Sequence, residues 1–141
     1  MSSKNVLSNE LRKLVENRME STLKGIENTL QQILENQEMR LEDLKESIKS
    51  LEKSFNLLSQ KWSLEILYTL FLRNVVGFNG LKKILGVNSR TLSNKLGSLE
   101  KHWYIERTVD HGPPLRVRYS LTNRGRNTVL LALPLLYYSS G

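Results

Sequence analysis

The sequence contains no cysteine. That absence excludes a disulfide scaffold, a thiolate zinc site, an iron–sulfur cluster, a thiol nucleophile and a thiol redox sensor. Proline is scarce, and none falls between Leu7 and Leu58. Long hydrophobic runs are missing as well. The longest, Val129 to Tyr138, is interrupted by Pro134 and is well short of the roughly 20 apolar residues of a membrane-spanning helix. The first residues, with Glu10, Arg12 and Lys13 close behind, offer no apolar core of signal-peptide type. The histidines are His102 and His111, neither flanked by carboxylates at ligand spacing, and Gly77 and Gly80 form no phosphate-cradling loop. No enzyme, metal or cofactor is expected. These exclusions leave a soluble cytoplasmic protein whose 141 residues suit one domain of roughly 100–200 residues with an appendage.

What is present is positive charge, and it is unevenly placed. From Met1 to Trp62 ten basic residues face ten acidic ones. From Ser63 to Gly141 eleven bases face four acids, so the net +7 belongs wholly to the C-terminal half. Lysines scattered for solubility are one reading. A localised basic excess is also the electrostatic footprint of a polyanion-binding surface.

The N-terminal half carries the pattern of one long helix. Leu23, Ile26, Leu30 and Ile33 recur at spacings of 3, 4 and 3, and Leu41, Leu44, Ile48, Leu51, Phe55, Leu58 and Trp62 alternate 3 and 4. Such heptad seams, with charges of both signs between them, mark a coiled coil. The two stretches differ in phase by one residue, with Leu34 and Gln37 in the second register. A phase step of this kind is a stutter, which unwinds a supercoil without ending it. Before Met19 the pattern loosens, and fraying is expected. Continuous helix from Leu7 to Leu58 would be about 78 Å long. So narrow a stripe needs a partner helix, either from a second chain or from an antiparallel hairpin bent near Glu35-Asn36-Gln37.

The C-terminal half changes rhythm. Trp62, Ile66 and Leu70, with Leu67 and Phe71, make a broad helical face that Arg73, Asn74 and Gly77 break. Asn79 can cap a short helix closed by Gly86. Asn88 or Ser89 can cap another, running from about Arg90 to His102 with Leu92, Leu96 and Leu99 on one side. Two short helices joined by a tight turn make a helix-turn-helix. The period then drops to two. Ile105 to Val109 is rich in β-formers, and Leu115, Val117, Tyr119 and Leu121 alternate with Arg116, Arg118 and Ser120 across the turn-forming Asp110 to Pro114. Thr122 caps a last helix through Leu133, where Pro134 should kink or stop it. The fold expected is mainly α with a small β-hairpin: a winged helix-turn-helix domain plus a long N-terminal coiled-coil helix. Its divisions are a dimerisation helix over 1–58, a winged domain over 59–126, and an apolar C-terminal helix and tail over 127–141.

Several motifs also carry a family resemblance. Lys61-Trp62-Ser63, Phe78-Asn79-Gly80-Leu81, Arg90-Thr91-Leu92, Ile105-Glu106-Arg107, and Arg116-Val117-Arg118-Tyr119-Ser120-Leu121-Thr122 with Gly125 resemble the HxlR type of winged-helix transcription regulator. That type falls within the wider MarR/PadR-like superfamily. The likeness covers about 62 to 126, not the coiled coil. It implies dimeric, sequence-specific DNA binding. The chain departs from the family where Gly80 replaces a usual Glu and Trp103 a usual Gly. A bulky residue at 103 resists the left-handed conformation, so the helix is expected to end differently or run on. The family's cysteine ahead of the Lys-Trp pair is missing, and with it any sensing through that thiol.

Helical geometry nominates the residues that touch DNA. With Leu92, Leu96 and Leu99 inward, Arg90, Asn94, Gly97 and Lys101 face outward, and Arg90 and Asn94 suit guanine and adenine edges. Ser89, Thr91, Ser93 and Lys95 suit phosphates. Arg116 and Arg118 lie on the outer face of the hairpin, with His111 at its tip, to meet backbone or minor groove. Lys82 and Lys83 can clamp phosphates from the preceding helix. Each of these is also an ordinary solvated position. Trp62, Tyr68, Trp103, Tyr137 and Tyr138 suit core or interface packing better than an effector pocket, and no effector is identifiable. The apolar C-terminal segment should pack against an N-terminal helix. The partners expected are double-stranded DNA and a second copy, held through the coiled coil and the C-terminal helix, with no membrane. The cytoplasmic protein would then be nucleoid-associated. An architectural, chromatin-like binder of low specificity is the alternative. A protein-interaction coiled coil whose winged domain no longer binds DNA is a third possibility.

Overall fold

The computed structural model describes residues 3–37 and 40–139, with side chains over 9–37 and 40–136. The elements are α1 (Ser3–Asn36), α2 (Leu41–Ser59), α3 (Ser63–Arg73), β1 (Val75–Gly77), α4 (Phe78–Leu85), α5 (Ser89–Lys101), β2 (Ile105–Asp110), β3 (Arg116–Leu121) and α6 (Asn123–Ser139). The chain divides into two compact units: Met1–Leu51 with Leu133–Gly141, and Glu52–Ala132.

The arm corrects the expectation of a single helix. It comprises two helices, and the phase step between the seams falls in the interval from Asn36 to Leu41. The cause of the restart is local. The Asp43 carboxylate accepts the Arg40 backbone N–H at 3.3 Å and lies 3.8 Å from the Arg40 Nε. Glu42 and Asp43 also place negative charge at the positive end of the new helix. Where its apolar pattern loosens, α1 is helical from Ser3. Both seams stand in solvent, with Ile26 58%, Leu30 51%, Leu41 62% and Leu51 59% exposed. A hairpin folded back within the chain would cover them, and among the described residues nothing does. The stripe reaches a core only at Leu58 and Trp62, both half-buried against it, beside the buried Leu57.

In residues 52–132 the pattern of buried side chains follows the spacing. Ile66, Leu67 and Leu70 of α3 meet Leu81 of α4 and Leu92, Leu96 and Leu99 of α5 in one core, completed by Tyr104, Ile105, Tyr119 and Val129. At the start of α3 the Glu65 carboxylate accepts the Trp62 N–H at 3.0 Å. β1 was not legible as a strand, because two valines and a glycine are too short to show a period. It completes a three-stranded antiparallel sheet in the order β1-β3-β2. Gly77, not Asn79, occupies the cap of α4, and Asn79 sits in its first turn. Gly86 closes α4 at φ 66° as expected, and the Asn88 side chain accepts the Thr91 N–H at 2.8 Å to open α5. Leu115 departs from the expected inward face and is 65% exposed, because β3 begins one residue later.

Trp103 overturns a second expectation. It takes the left-handed conformation, φ 65°, and α5 stops where a glycine would have stopped it. The Tyr104 N–H bonds the Leu99 carbonyl at 3.0 Å and the Trp103 N–H bonds that of Glu100 at 3.0 Å. This six-to-one and five-to-two pair is a Schellman closure. Burial of Tyr104 and Leu99 outweighs a left-handed cost of about 1–2 kcal/mol.

The Leu-Thr-x-x-Gly motif has a matching structural reason. The Thr122 hydroxyl donates to the Trp103 carbonyl at 2.6 Å and accepts the Gly125 N–H at 3.0 Å. A Cβ on Gly125 would collide with the Tyr104 carbonyl, so only glycine lets the first turn of α6 lie this close. The helix then passes Pro134 and reaches Ser139, longer than the expected stop near Leu133. Proline removes one backbone donor there without ending the helix.

Candidate nucleic-acid interface

The outward face of α5 follows from its inward one. Leu92, Leu96 and Leu99 are at most 1% exposed, and the helical period then turns Ser89, Arg90, Ser93, Asn94, Gly97 and Lys101 to solvent, with Thr91 and Ser98 half-buried at the flanks. Asn88 uses its side chain on the Thr91 N–H. It therefore fixes the helix start rather than reaching outward, which leaves Arg90 and Asn94 as the long polar groups of the first turns. Lys95 is different from its neighbours. Its ammonium donates to Gln60 Oε1 at 2.6 Å, which ties α5 to the segment between α2 and α3. Lys95 would have to release Gln60 to reach a phosphate. The spacing of 35 residues between these partners left no signal in the sequence.

The wing presents a second basic element. In β3 the inward residues are Val117, Tyr119 and Leu121, and the alternation puts Arg116 and Arg118 on the exposed face. Opposite them on β2 are Asp110, paired with Arg116, and Thr108, paired with Arg118. Asp110 Oδ1 accepts the Gly112 N–H at 3.3 Å, so this carboxylate shapes the turn. His111 stands exposed at the tip. Lys82 and Lys83 are exposed in the last turn of α4, where cations also complement the helix dipole.

The charge of this domain is not spent internally. Among the described residues none of the eleven bases beyond Trp62 is held in an ion pair. Two of them are engaged by aromatic rings instead. The Arg124 guanidinium lies 5.2 Å from the Tyr104 ring centroid and that of Arg126 lies 5.1 Å from Phe71. A third, Lys95, is held by Gln60; the others have neither an ion pair nor a ring contact among the described residues. Among the aromatics, Trp62 and Tyr68 are half-buried against the core, whereas Trp103 is 72% exposed, which the packing expectation did not foresee. The side chains of Tyr137 and Tyr138 lie outside the described ones. Among the described residues no histidine and carboxylate cluster that can hold a metal occurs, and no helix is long and apolar enough to cross a membrane.

Comparison with known proteins gives the family of the fold. Residues 57–136 match the model of the HxlR-like helix-turn-helix family. An HTH-type transcriptional regulator of Synechocystis is 40% identical over 80 residues, covering 55% of this chain and 59% of the relative. The regulator YdzF of Bacillus subtilis is 32% identical over 77 residues, 54% of this chain and 71% of that protein. The chain thus spans little more than half the length of the first of these relatives. Among solved structures, the redox regulator HypR in its reduced form superposes with a TM-score of 0.57 at 26% identity, covering 64% of this chain and 90% of that one. The reduced transcriptional regulator YodB from B. subtilis gives 0.57 at 21% identity, covering 64% and 88%, a likeness of fold. The matched segment holds α3 to β3 together and starts just where the arm's seam enters the core: the chain belongs to the HxlR-like helix-turn-helix family.

Proposed function

We propose that the chain is a dimeric transcription regulator that binds double-stranded DNA and not an enzyme. In this reading α5 enters the major groove with Arg90 and Asn94 on base edges and Ser89, Thr91, Ser93 and Lys95 on or near phosphates. Arg116, Arg118 and His111 of the wing meet the backbone or minor groove, and Lys82 and Lys83 add phosphate contacts. One observation carries the reading: the segment beyond Trp62, which buries Leu92, Leu96 and Leu99, also turns arginines without ion-pair partners outward and holds the whole net +7 of the chain. Dimerisation rests on the exposed seams of α1 and α2, and on Leu130, Leu131, Leu135 and Leu136 of α6, all more than 40% exposed. Apolar surface on that scale in a small protein marks an interface. With no cysteine, any signal this regulator receives does not act through a thiol.

The test separates base readout from backbone binding. On a duplex selected from a random pool, Arg90→Ala should lose about 1–3 kcal/mol and relax preference at one position. Arg118→Ala should weaken selected and random duplexes alike and flatten the salt slope by about 0.9. Identical loss patterns for the two variants, read by fluorescence anisotropy over a salt series, would defeat the role assignment. No loss in either would remove DNA binding by this face.

A further inference from the structure

The two seams of the arm have differently built cores. In α2 the alternation of 3 and 4 places Leu41, Ile48 and Phe55 at the a positions of a heptad and Leu44, Leu51 and Leu58 at d. In α1 it places Leu23 and Leu30 at a, with Met19, Ile26 and Ile33 at d. In a two-stranded coil the Cα–Cβ bond at d points straight at the partner helix, a direction that leucine fills and a stiff β-branched side chain does not. In four strands that direction belongs to a. Leucine at d with isoleucine at a therefore favours two strands, whereas leucine at a with isoleucine at d shifts the preference to three or four. The flanks differ in the same sense. Beside the α2 core the e positions are charged, Lys45 and Glu52, as suits the wet edge of a two-stranded coil. Beside the α1 core Leu34 holds an e position, and the g positions Thr22 and Thr29 line one shallow trough with Gly25, Ile26, Leu30 and Ile33. A stripe widened in this way can touch more than one neighbouring helix.

We propose that α1 is a tetramerisation element: four α1 helices, one from each of four copies of the chain, form a parallel bundle that joins two dimers held through α2. The stripe it would bury is open, with Leu23, Ile26, Leu30, Ile33 and Leu34 all between 44% and 58% exposed. Charge sets the direction of the helices. Were they antiparallel, with Leu23 against Ile33 of a copy, Glu27 at its e position would face the same glutamate of that copy. In a parallel bundle Glu27 faces the neutral Thr22 instead. The number follows from the two cores together. Three strands would leave one α2 without a partner, so four is the smallest assembly that suits both. The proposal rests on the dimeric reading of α2. Its consequence, that one assembly carries two dimeric readers and grips two sites at once, rests on the DNA-binding reading as well; the bundle itself does not.

Sedimentation equilibrium of the full-length chain reads the assembly directly. The unaltered chain should sediment with the mass of four 16.3 kDa chains. Exchanging the α1 core, by Leu23→Ile, Ile26→Leu, Leu30→Ile and Ile33→Leu together, keeps composition and charge and moves the β-branched side chains to a. That variant should fall to the mass of two chains, with its helix content by circular dichroism unchanged. Ile26→Lys, which disrupts the α1 core outright, should also stop at two, because α2 is untouched. An unaltered chain that sediments as one, two or three copies overturns the proposal, and so does an exchanged chain that stays a tetramer. A single-chain mass for Ile26→Lys would give the dimer itself to α1 and overturn the division between the seams. Duplex binding is measured on the same samples. On a long duplex with two copies of a selected site, the tetramer should bind about a hundredfold more tightly than on one copy. The exchanged chain should lose most of that gain and keep its single-site affinity. A tetramer that binds no selected duplex keeps the bundle and loses the regulator reading. A dimer that binds one site keeps that reading and loses the bundle.

Discussion

The arm and the winged unit are built from the same kinds of residue to opposite ends. In the winged unit, apolar side chains at helical spacing find one another within the chain, and Leu81, Ile66 and Leu99 are fully buried. In the arm, residues as apolar and as regularly spaced remain about half exposed: Leu23 46%, Leu44 46% and Phe55 58%. The contrast extends to charge. The arm and the segment up to Trp62 balance ten bases with ten acids, whereas the remainder carries eleven against four. A balanced helix can lie along a copy of itself without repulsion, and an unbalanced surface is suited to a polyanion. Periodicity therefore says that a face will be buried, but not by which chain.

The comparison can be broken most sharply by equal truncations on its two sides. Leu96→Ala should cost the winged unit about 3 kcal/mol or more, whereas Leu30→Ala should leave its unfolding unchanged and instead raise the concentration at which the chain self-associates. Urea unfolding monitored by Trp62 and Trp103 fluorescence, beside sedimentation equilibrium, reads both. Equal destabilisation by the two changes would mean that the arm packs on its own chain. Next in size, Gly125→Ala should cost about 1–3 kcal/mol by forcing the start of α6 off the Tyr104 carbonyl, with self-association through the arm preserved. The smallest effect has the opposite sign. Trp103→Gly relieves a left-handed backbone under an indole that is 72% exposed and should raise stability by about 1 kcal/mol. A loss instead would show that the indole packs in the functional assembly.

Much of the winged unit was legible because its signals are short-range. Asn88 as a cap, Gly86 as a stop, and Leu92, Leu96 and Leu99 as an inward row depend on neighbours within one or two turns, and each is found where spacing placed it. The alternation from Val117 to Leu121 likewise put Arg116 and Arg118 outside. What stayed hidden depends on distant partners or on competition. β1 is a strand because β3 supplies its hydrogen bonds. Lys95 meets Gln60 across 35 residues. Trp103 adopts a conformation it disfavours because the closure at Tyr104 and Thr122 demands it. The break in the arm shows in the sequence as a phase step, but a phase step fits a stutter equally well, and the Asp43 contact that restarts the helix leaves no mark in the periodicity.

The central claim is that the outward face of α5 reads sequence, and one ratio tests it directly. Affinity for duplexes selected from a random pool is compared with affinity for random duplex at the same salt. A regulator of this design should prefer the selected sequences by at least about 10³-fold, while a ratio below about ten would contradict it and leave a non-specific DNA coat in its place.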